Sequence, residues 1–120
     1  MIEGTCHCGA VRLQVATPPE QVTSCNCSIC RRLAALWAYY DPAQVVITAA
    51  ETDLGGYVWG DRMLTLHHCR TCGCTTHWTP MDKTHPRMGI NARLLAPEVL
   101  AAAKVRRLDG ADTWTYVDED

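Results

Sequence analysis

The 120-residue sequence predicts a single, mainly β domain over residues 1–120, with one short helix near the C-terminus. The length is close to the commonest size of one domain, and no repeat or low-complexity linker divides the chain. Short runs of β-branched and aromatic residues recur between turn residues, which is typical of strands. Eight cysteines in three tight clusters indicate that bound metal stabilises this domain.

The strands are predicted from side-chain alternation and from the residues that separate the runs. Residues 11–15 alternate apolar and polar side chains, which predicts a half-buried strand. Asp41-Pro42 forms a turn between the next two runs, and Gly60-Asp61 is flanked by two further runs, which indicates a hairpin. The full set of predicted strands comprises residues 11–15, 36–40, 45–48, 57–59, 63–66, 75–79, 87–91 and 105–108.

One helix is predicted over residues 97–103. Pro97 suits the first turn of a helix because its fixed φ is already helical, and Glu98 favours the positive N-terminal end. Leucine and alanines continue this helix until the last predicted strand begins. A single helical turn is also predicted for residues 31–35, directly after the second cysteine cluster.

The cysteines are spaced by one or two residues within each cluster: Cys6-His7-Cys8, Cys25-Asn26-Cys27-Ser28-Ile29-Cys30 and Cys69-Arg70-Thr71-Cys72-Gly73-Cys74. On a tight turn, this spacing brings two sulfurs to one ion, as tetrahedral zinc requires. A disulfide framework is the alternative, because the number of cysteines is even. It is disfavoured because bridges within such short spacings are strained. The first residues also show no secretory signal, so we expect a cytoplasmic, reducing environment.

The first and third clusters together predict one closed metal site. Gly73 permits the left-handed turn of a zinc-ribbon knuckle, in which backbone amides point at the sulfurs. Two sulfurs from each cluster complete a tetrahedron and leave no coordination position open, so this zinc is predicted to be structural. Its predicted ligands are Cys6, Cys8, Cys69 and Cys72.

The second cluster predicts a three-thiolate site formed by Cys25, Cys27 and Cys30. An open fourth position is the mark of a catalytic or ligand-binding zinc, so the sequence predicts two zinc ions per chain. Cys74 leaves an alternative open, because a fourth thiolate from this residue would make both sites closed and structural. The histidines, and the tryptophans and tyrosines, are interpreted as structural side chains of the surface and the core.

Charge and hydropathy argue against two classes of partner. The net charge of -2, the pI near 6.2 and the scattered basic residues argue against a nucleic-acid-binding protein, which needs a basic face. No stretch approaches the 18 or so continuous apolar residues of a membrane span. We therefore expect neither a nucleic acid nor a membrane as the main partner.

The order of the cysteine motifs is specific: Gly4-Thr5-Cys6-His7-Cys8-Gly9-Ala10-Val11, then Cys25-Asn26-Cys27-Ser28-Ile29-Cys30-Arg31, then Cys69-Arg70-Thr71-Cys72-Gly73, with a tail Gly89-Ile90-Asn91-Ala92-Arg93-Leu94-Leu95. This series resembles the glutathione-dependent formaldehyde-activating enzyme family, which also includes centromere protein V. The resemblance implies an all-β zinc fold similar to that of methionine-R-sulfoxide reductases. It also implies that Cys25, Cys27 and Cys30 hold the catalytic zinc and the other four ligands the structural zinc.

Two functions follow as expectations. The first is a zinc-dependent carbon–sulfur lyase-type enzyme, similar to S-(hydroxymethyl)glutathione synthase. In this enzyme a thiol such as glutathione coordinates the three-cysteine zinc and adds to formaldehyde or a similar small electrophile. The alternative is a non-catalytic binding module with two structural zinc sites, in which added glutathione leaves the metal coordination unchanged. The sequence identifies no general acid.

Overall fold

The computed structural model describes residues 1–117 and confirms the mainly β fold. Its two α-helices, α1 (Ser28–Leu33) and α2 (Pro97–Ala102), are short, and single 3-10 turns lie at Pro42–Gln44, Glu51–Asp53 and Ala92–Leu94. The ten strands are β1 (Ile2–Thr5), β2 (Arg12–Val15), β3 (Gln21–Cys25), β4 (Trp37–Tyr40), β5 (Val45–Thr48), β6 (Leu54–Tyr57), β7 (Leu64–Cys69), β8 (Thr75–Pro80), β9 (Met88–Asn91) and β10 (Lys104–Leu108).

The strands form two sheets. The smaller sheet has the order β1-β2-β5, and the larger, seven-stranded sheet has the order β10-β3-β4-β9-β8-β7-β6. Neighbouring strands are antiparallel except β10 and β3, which run parallel with Leu108 beside Cys25. The parallel pairing is possible because a long crossover connects the two strands. Because β10 ends beside Cys25, the residues that follow β10 lie next to the second cysteine cluster.

The main apolar core lies between the smaller sheet and one face of the larger sheet. Leu13 and Val15 of β2 are buried in it, whereas Arg12 is exposed, as the predicted alternation requires. Residues of α2 pack against the edge of this core. The buried members of the core are Leu13, Val15, Val22, Leu36, Ala38, Tyr40, Met88, Ile90, Ala92 and Leu95.

The predicted strand at residues 57–59 is wrong in position. The chain is extended at Leu54–Tyr57, where Leu54 pairs with Cys69 and Tyr57 pairs with Leu66 of β7. Two glycines within β6 lower its apparent strand propensity. A Cβ at Gly55 would lie 2.4 Å from the His68 ring, so a larger residue there would require this ring to move.

The sequence also missed β1 and β3 and placed the turn at residues 31–35 too late. Helix α1 begins at Ser28, inside the second cysteine cluster, because Cys27 is its N-cap and accepts a hydrogen bond from the Cys30 N–H. A cysteine is an unusual N-cap, so the start of the helix was hidden by residues that look like metal ligands alone. Among the described residues, neither helix has the length and apolar character needed to cross a membrane.

Two histidines stack in the interior of the larger sheet. His67 of β7 pairs with His77 of β8, and their ring centroids are 4.3 Å apart with planes inclined by 10°. His77 is only 3% exposed, and its Nδ1 lies 2.8 Å from the Thr76 hydroxyl. Burial, followed by the charge of His67, lowers the pKa of His77 to about 3. The imidazole of His77 is therefore neutral in the folded protein at ordinary pH.

We expect the protein to lose stability as the pH falls below about 6.5. The unfolded chain protonates His77 near its usual pKa of about 6.5, whereas the folded chain does so only near 3, so protons favour the unfolded state between these values. The contribution of His77 to this loss is about 2 kcal/mol at pH 5.

Urea unfolding of the wild type and of His77→Gln, at pH 7 and pH 5, measures this contribution. Acid weakens thiolate–metal binding in both proteins. The difference between the two proteins in how their free energy of unfolding changes with pH therefore isolates the contribution of His77. The free energy of unfolding should fall less steeply with pH in the variant, and equal slopes would contradict the assignment.

Candidate metal centres and the adjoining cavity

The structure brings the four predicted ligands of the first site together. The sulfurs of Cys6, Cys8, Cys69 and Cys72 lie within 4.8 Å of one another. With Zn–S bonds of about 2.3 Å, neighbouring sulfurs of a tetrahedral site are about 3.8 Å apart. The Cys8 sulfur lies 3.7 Å from that of Cys6 and 3.6 Å from that of Cys69. These distances are far too long for S–S bonds but fit a tetrahedral metal.

Tight turns position these sulfurs at the end of the smaller sheet. Cys6 follows β1, and Cys69 is the last residue of β7. Gly9 and Gly73, at φ 84° and 80°, adopt the left-handed turns that the knuckles need. Both Cys6 and Cys69 are buried, so their thiols are part of the core as well as candidate metal ligands.

Backbone amides favour the thiolate form in this group. The Val11 N–H donates to the Cys6 sulfur at 3.3 Å, and the Cys72 N–H donates to the Cys69 sulfur at 3.5 Å. The backbone N–H groups of Cys74 and Cys8 lower the pKa of Cys72 to about 5. At Cys8 the Ala10 N–H lowers the pKa, but contact with the Cys69 thiol and burial outweigh it and raise this pKa to about 12. The donor set is sulfur-only, as in a structural zinc site, and a bound cation would displace its remaining protons.

Cys74, whose role the sequence left open, lies beside the first group. It packs in the cluster that contains Cys6 and Cys69, and its thiol interacts with that of Cys72. It is absent from the set of sulfurs that converge around Cys25. The geometry therefore gives no support to the alternative in which Cys74 closes the second site.

The second group forms where β3 meets α1. Cys25 is the last residue of β3, Cys27 caps α1, and Cys30 lies in its first turn, so a single strand–helix junction supplies all three sulfurs. These sulfurs lie within 4.8 Å of one another. Three thiols at this separation can hold a metal ion with one coordination position left for a substrate.

The three thiols of the second group differ in acidity. Burial would raise the pKa of Cys27, but hydrogen bonds led by the backbone N–H of Cys30 outweigh it and lower this pKa. Burial raises the pKa of Cys25 and of Cys30. A divalent cation would displace the remaining protons, because coordination favours thiolates. The Trp37 Nε1–H donates to the Cys30 sulfur at 3.4 Å and fixes the direction of this ligand.

A C-terminal loop over residues 109–116 covers the second group. Asn26, between two of the cysteines, donates to the Asp109 carboxylate at 3.0 Å and accepts from the Ala111 N–H at 3.0 Å. Gly110 lies against the cysteines, since a Cβ at this position would be 2.4 Å from the Cys25 sulfur. No pattern in the sequence predicts that this loop lies on the cysteines.

We expect Gly110→Ala to weaken metal binding at the second group while the fold is retained. The added methyl group cannot fit beside the Cys25 sulfur unless the loop or the thiol moves. Metal release to a chromogenic chelator should become at least tenfold faster for one ion per chain. Ala111→Ser, at an exposed position of the same loop, is the control and should leave release unchanged. Equal release from Gly110→Ala and the wild type would show that the loop does not press on the site.

A cavity of about 490 Å³ opens beside the second group, and Cys25, Cys27 and Cys30 all line it. All four tryptophans of the chain line the same cavity, together with two of its four tyrosines. These aromatic residues, which we call the aromatic wall, are Trp37, Tyr39, Trp59, Trp78, Trp114 and Tyr116. The interpretation of the aromatic residues as core and surface side chains is thus incomplete, because strand pairing collects them from distant parts of the chain.

Tyr39 and Tyr116 line the cavity beside the second group, and the Thr23 hydroxyl interacts with both of their hydroxyl groups. The Thr23 hydroxyl is 3.0 Å from that of Tyr116. Burial raises the pKa of Tyr39 to about 12, and the Thr23 side chain, which interacts with the Tyr39 hydroxyl, moderates this effect. Charge on Cys25 also raises this pKa, because the two side chains are near each other. Tyr39 is therefore protonated at neutral pH, and its side chain lines the cavity.

Two polar residues of the C-terminal motif serve the fold. Asn91 is buried, donates to the Thr75 carbonyl at 2.9 Å and accepts from the Leu36 N–H. The Arg93 Nε–H donates to the Ala34 carbonyl at 2.6 Å, at the end of α1. Both side chains therefore hold the segments that flank the second group.

Two comparisons of the sequence with known proteins indicate the same family of enzymes. The family model described as glutathione-dependent formaldehyde-activating enzyme matches residues 1–107. A Halomonas elongata protein, provisionally named as such an enzyme, is 50% identical over 40 residues. That alignment covers 32% of this chain and 26% of the relative, so the chain spans about a quarter of that protein.

A solved structure resembles this fold over nearly its whole length. The crystal structure of a Rhodobacter sphaeroides protein superposes with a TM-score of 0.69 and 30% sequence identity. The match covers 87% of this chain and 99% of that one. Most of the chain thus shares its fold with a protein whose structure was determined experimentally.

Proposed function

Because the chain belongs to the glutathione-dependent formaldehyde-activating enzyme family, we propose that it is a zinc-dependent enzyme of the carbon–sulfur lyase type. It adds a thiol such as glutathione to formaldehyde or a similar small electrophile. The observation that carries this proposal is the three-sulfur group of Cys25, Cys27 and Cys30 in the wall of a cavity. A purely structural site has no need to adjoin a space of substrate size.

We propose two zinc ions per chain, with distinct roles. The four-sulfur group of Cys6, Cys8, Cys69 and Cys72 has the donor number and spacing of a closed structural site. The three-sulfur group is the catalytic site. Zinc bound there would lower the pKa of a substrate thiol and supply it as a thiolate. The single domain of residues 1–120 and a reducing, cytoplasmic location belong to the same proposal, because these thiols must stay reduced.

The residues of the chain would orient the reactants and handle the proton. Trp37 fixes the direction of Cys30 through its hydrogen bond, and Asn26 holds the loop that carries Gly110 against Cys25. When the substrate thiolate forms a bond to the carbonyl carbon, the C=O electron pair becomes an alkoxide. Tyr39 donates a proton to this alkoxide and recovers one from solvent, which has received the proton lost by the thiol.

We expect Tyr39→Phe to lower kcat by about 10²-fold while KM and the zinc content are unchanged. Phenylalanine keeps the ring in the aromatic wall and removes only the hydroxyl group. Tyr57→Phe, at an exposed position outside the cavity, is the matched control. A parallel fall in zinc content, or a rise in KM alone, would assign Tyr39 to positioning instead of proton transfer.

Native mass spectrometry of the untagged protein, with and without glutathione, tests the proposed function together with exchange NMR of glutathione and formaldehyde. We expect two zinc ions, a retained glutathione adduct and faster formation of S-hydroxymethylglutathione. Two zinc ions with neither an adduct nor acceleration would overturn the proposal in favour of a zinc-stabilised binding module. One zinc ion or none would overturn the two-site assignment.

A further inference from the structure

The cavity beside the second group offers few charges to a ligand. Among residues 1–117, Asp61 and Arg87 are the charged residues that line it. The Asp61 carboxylate accepts from the Met63 N–H at 3.1 Å, and the Arg87 guanidinium stacks on the Tyr39 ring at 4.4 Å from its centroid. The remaining lining consists largely of rings and aliphatic side chains. Since burying an unpaired charge is costly, the interior of this cavity favours an uncharged, apolar group.

The larger sheet is built so that its rings face this space. Tyr39, Gly89, Trp78 and Leu66 form one row of directly paired residues across four strands. Gly89 leaves room for the indole, because a Cβ there would lie 2.1 Å from the Trp78 Nε1. The Trp78 ring therefore crosses over Gly89 and meets the Tyr39 ring edge to face, with centroids 6.2 Å apart. The two rings, whose planes are inclined by 63°, form one aromatic side of the cavity.

Two more tryptophans form the mouth of the cavity, far from each other in sequence. Trp59, in the connection between β6 and β7, is 41% exposed, and Trp114, in the covering loop, is 69% exposed. Trp114 also has a φ of 59°, a left-handed conformation that costs energy for a large residue. Exposed tryptophans at the rim of a cavity mark a binding surface.

The size of the cavity exceeds the needs of formaldehyde. A molecule of two non-hydrogen atoms takes up little more than the roughly 30 Å³ of one water molecule in the liquid. The cavity measures about 490 Å³, which is in the usual range for ligands with a ring and several substituents, and its lining does not suit the two carboxylates and the ammonium group of glutathione. The aromatic wall, which contains every tryptophan of the chain, also offers more apolar surface than an electrophile as small and polar as formaldehyde can contact.

Building on the proposed function, we propose that the electrophile accepted by this site is an aldehyde that carries an aromatic ring, which the aromatic wall binds next to Cys25, Cys27 and Cys30. The thiol sulfur forms a bond to the aldehyde carbon, and the C=O double bond becomes a C–OH single bond. The proton lost by the thiol is balanced by the proton gained on oxygen. The product is a hemithioacetal, and no oxidant, reductant or further reactant is consumed.

Phenylacetaldehyde and acetaldehyde test the proposal, because they share a carbonyl group on an aliphatic carbon and differ by the ring. Exchange NMR with glutathione and the zinc-loaded protein measures kcat/KM for both and for formaldehyde. We expect phenylacetaldehyde to exceed acetaldehyde by tenfold or more. Trp59→Ala should reduce the value for phenylacetaldehyde at least fivefold more than it reduces that for acetaldehyde. Tyr57→Ala, an exposed aromatic residue of β6 outside the cavity, is the matched control and should change neither.

A binding measurement separates failure of this inference from failure of the reaction. The four indole N–H signals in a proton–nitrogen correlation spectrum all report on the cavity, and 2-phenylethanol is an unreactive probe with ethanol as its control. We expect 2-phenylethanol to shift these signals and ethanol to leave them in place. Equal turnover of the three aldehydes with no shift would overturn the inference and leave the proposed function standing. Shifts without turnover of any aldehyde would overturn the proposed function and the aldehyde assignment, while the ring-binding site would stand.

Discussion

Cys69→Ser is expected to prevent folding of the protein. Cys69 is fully buried, ends β7 and contributes to the four-sulfur group, which joins the turn after β1 to the knuckle after β7. A structural zinc site contributes about 10–16 kcal/mol, which is as large as the whole stability of a typical domain, about 5–15 kcal/mol. Serine also leaves a polar hydroxyl group in the apolar surroundings of Val11 and Cys6.

Circular dichroism and zinc analysis of the purified variant check this expectation. We expect loss of the β spectrum, or aggregation, and loss of zinc. Cys74→Ser is the matched control, because Cys74 packs beside the same group but lies outside its four converging sulfurs. This control should keep its fold and its full zinc content. A folded Cys69→Ser protein that retains one zinc would show that the four-sulfur group is dispensable for folding.

The two sulfur groups could be anticipated from sequence because their geometry is mostly local. Cys25, Cys27 and Cys30 converge at one strand–helix junction, and a spacing of one or two residues is enough to imply this. The pairing of the first and third clusters is long-range, but few combinations of two-cysteine units complete a tetrahedron. The strand at Val45–Thr48 was likewise predicted with its bounds, since β-branched residues fill it.

The cavity could not be anticipated, because it depends on sheet order. Tyr39 and Trp78 meet only because β9 lies between β4 and β8 and presents Gly89 at the crossing point. No periodicity in the sequence specifies such a non-local pairing. The position of Gly110 against Cys25 depends on the parallel pairing of β10 with β3. This pairing places the loop of residues 109–116 beside Cys25. The cysteines of the site could thus be predicted from the sequence, but the cavity and the loop that surround them could not.

Cys27→Ser is expected to abolish the proposed activity and to leave the fold intact. Cys27 is a half-buried N-cap of α1, and its sulfur accepts from the Cys30 N–H at 3.4 Å. Serine is among the best N-cap residues, so the helix start should be preserved and the free energy of unfolding should change by about 1 kcal/mol or less. A hydroxyl group is a far weaker zinc ligand than a thiolate, so one of the two proposed zinc ions should be lost.

The measurement combines native mass spectrometry, urea unfolding and the glutathione–formaldehyde exchange rate on one preparation. We expect one zinc ion fewer, an exchange rate at the uncatalysed level and an unfolding midpoint close to that of the wild type. Ser28→Ala, at the neighbouring position of α1, is the control and should retain both zinc ions and the catalysed rate. The contrast with Cys69→Ser decides the division of labour: if both cysteine variants lost the fold equally, neither group could be called catalytic on structural grounds.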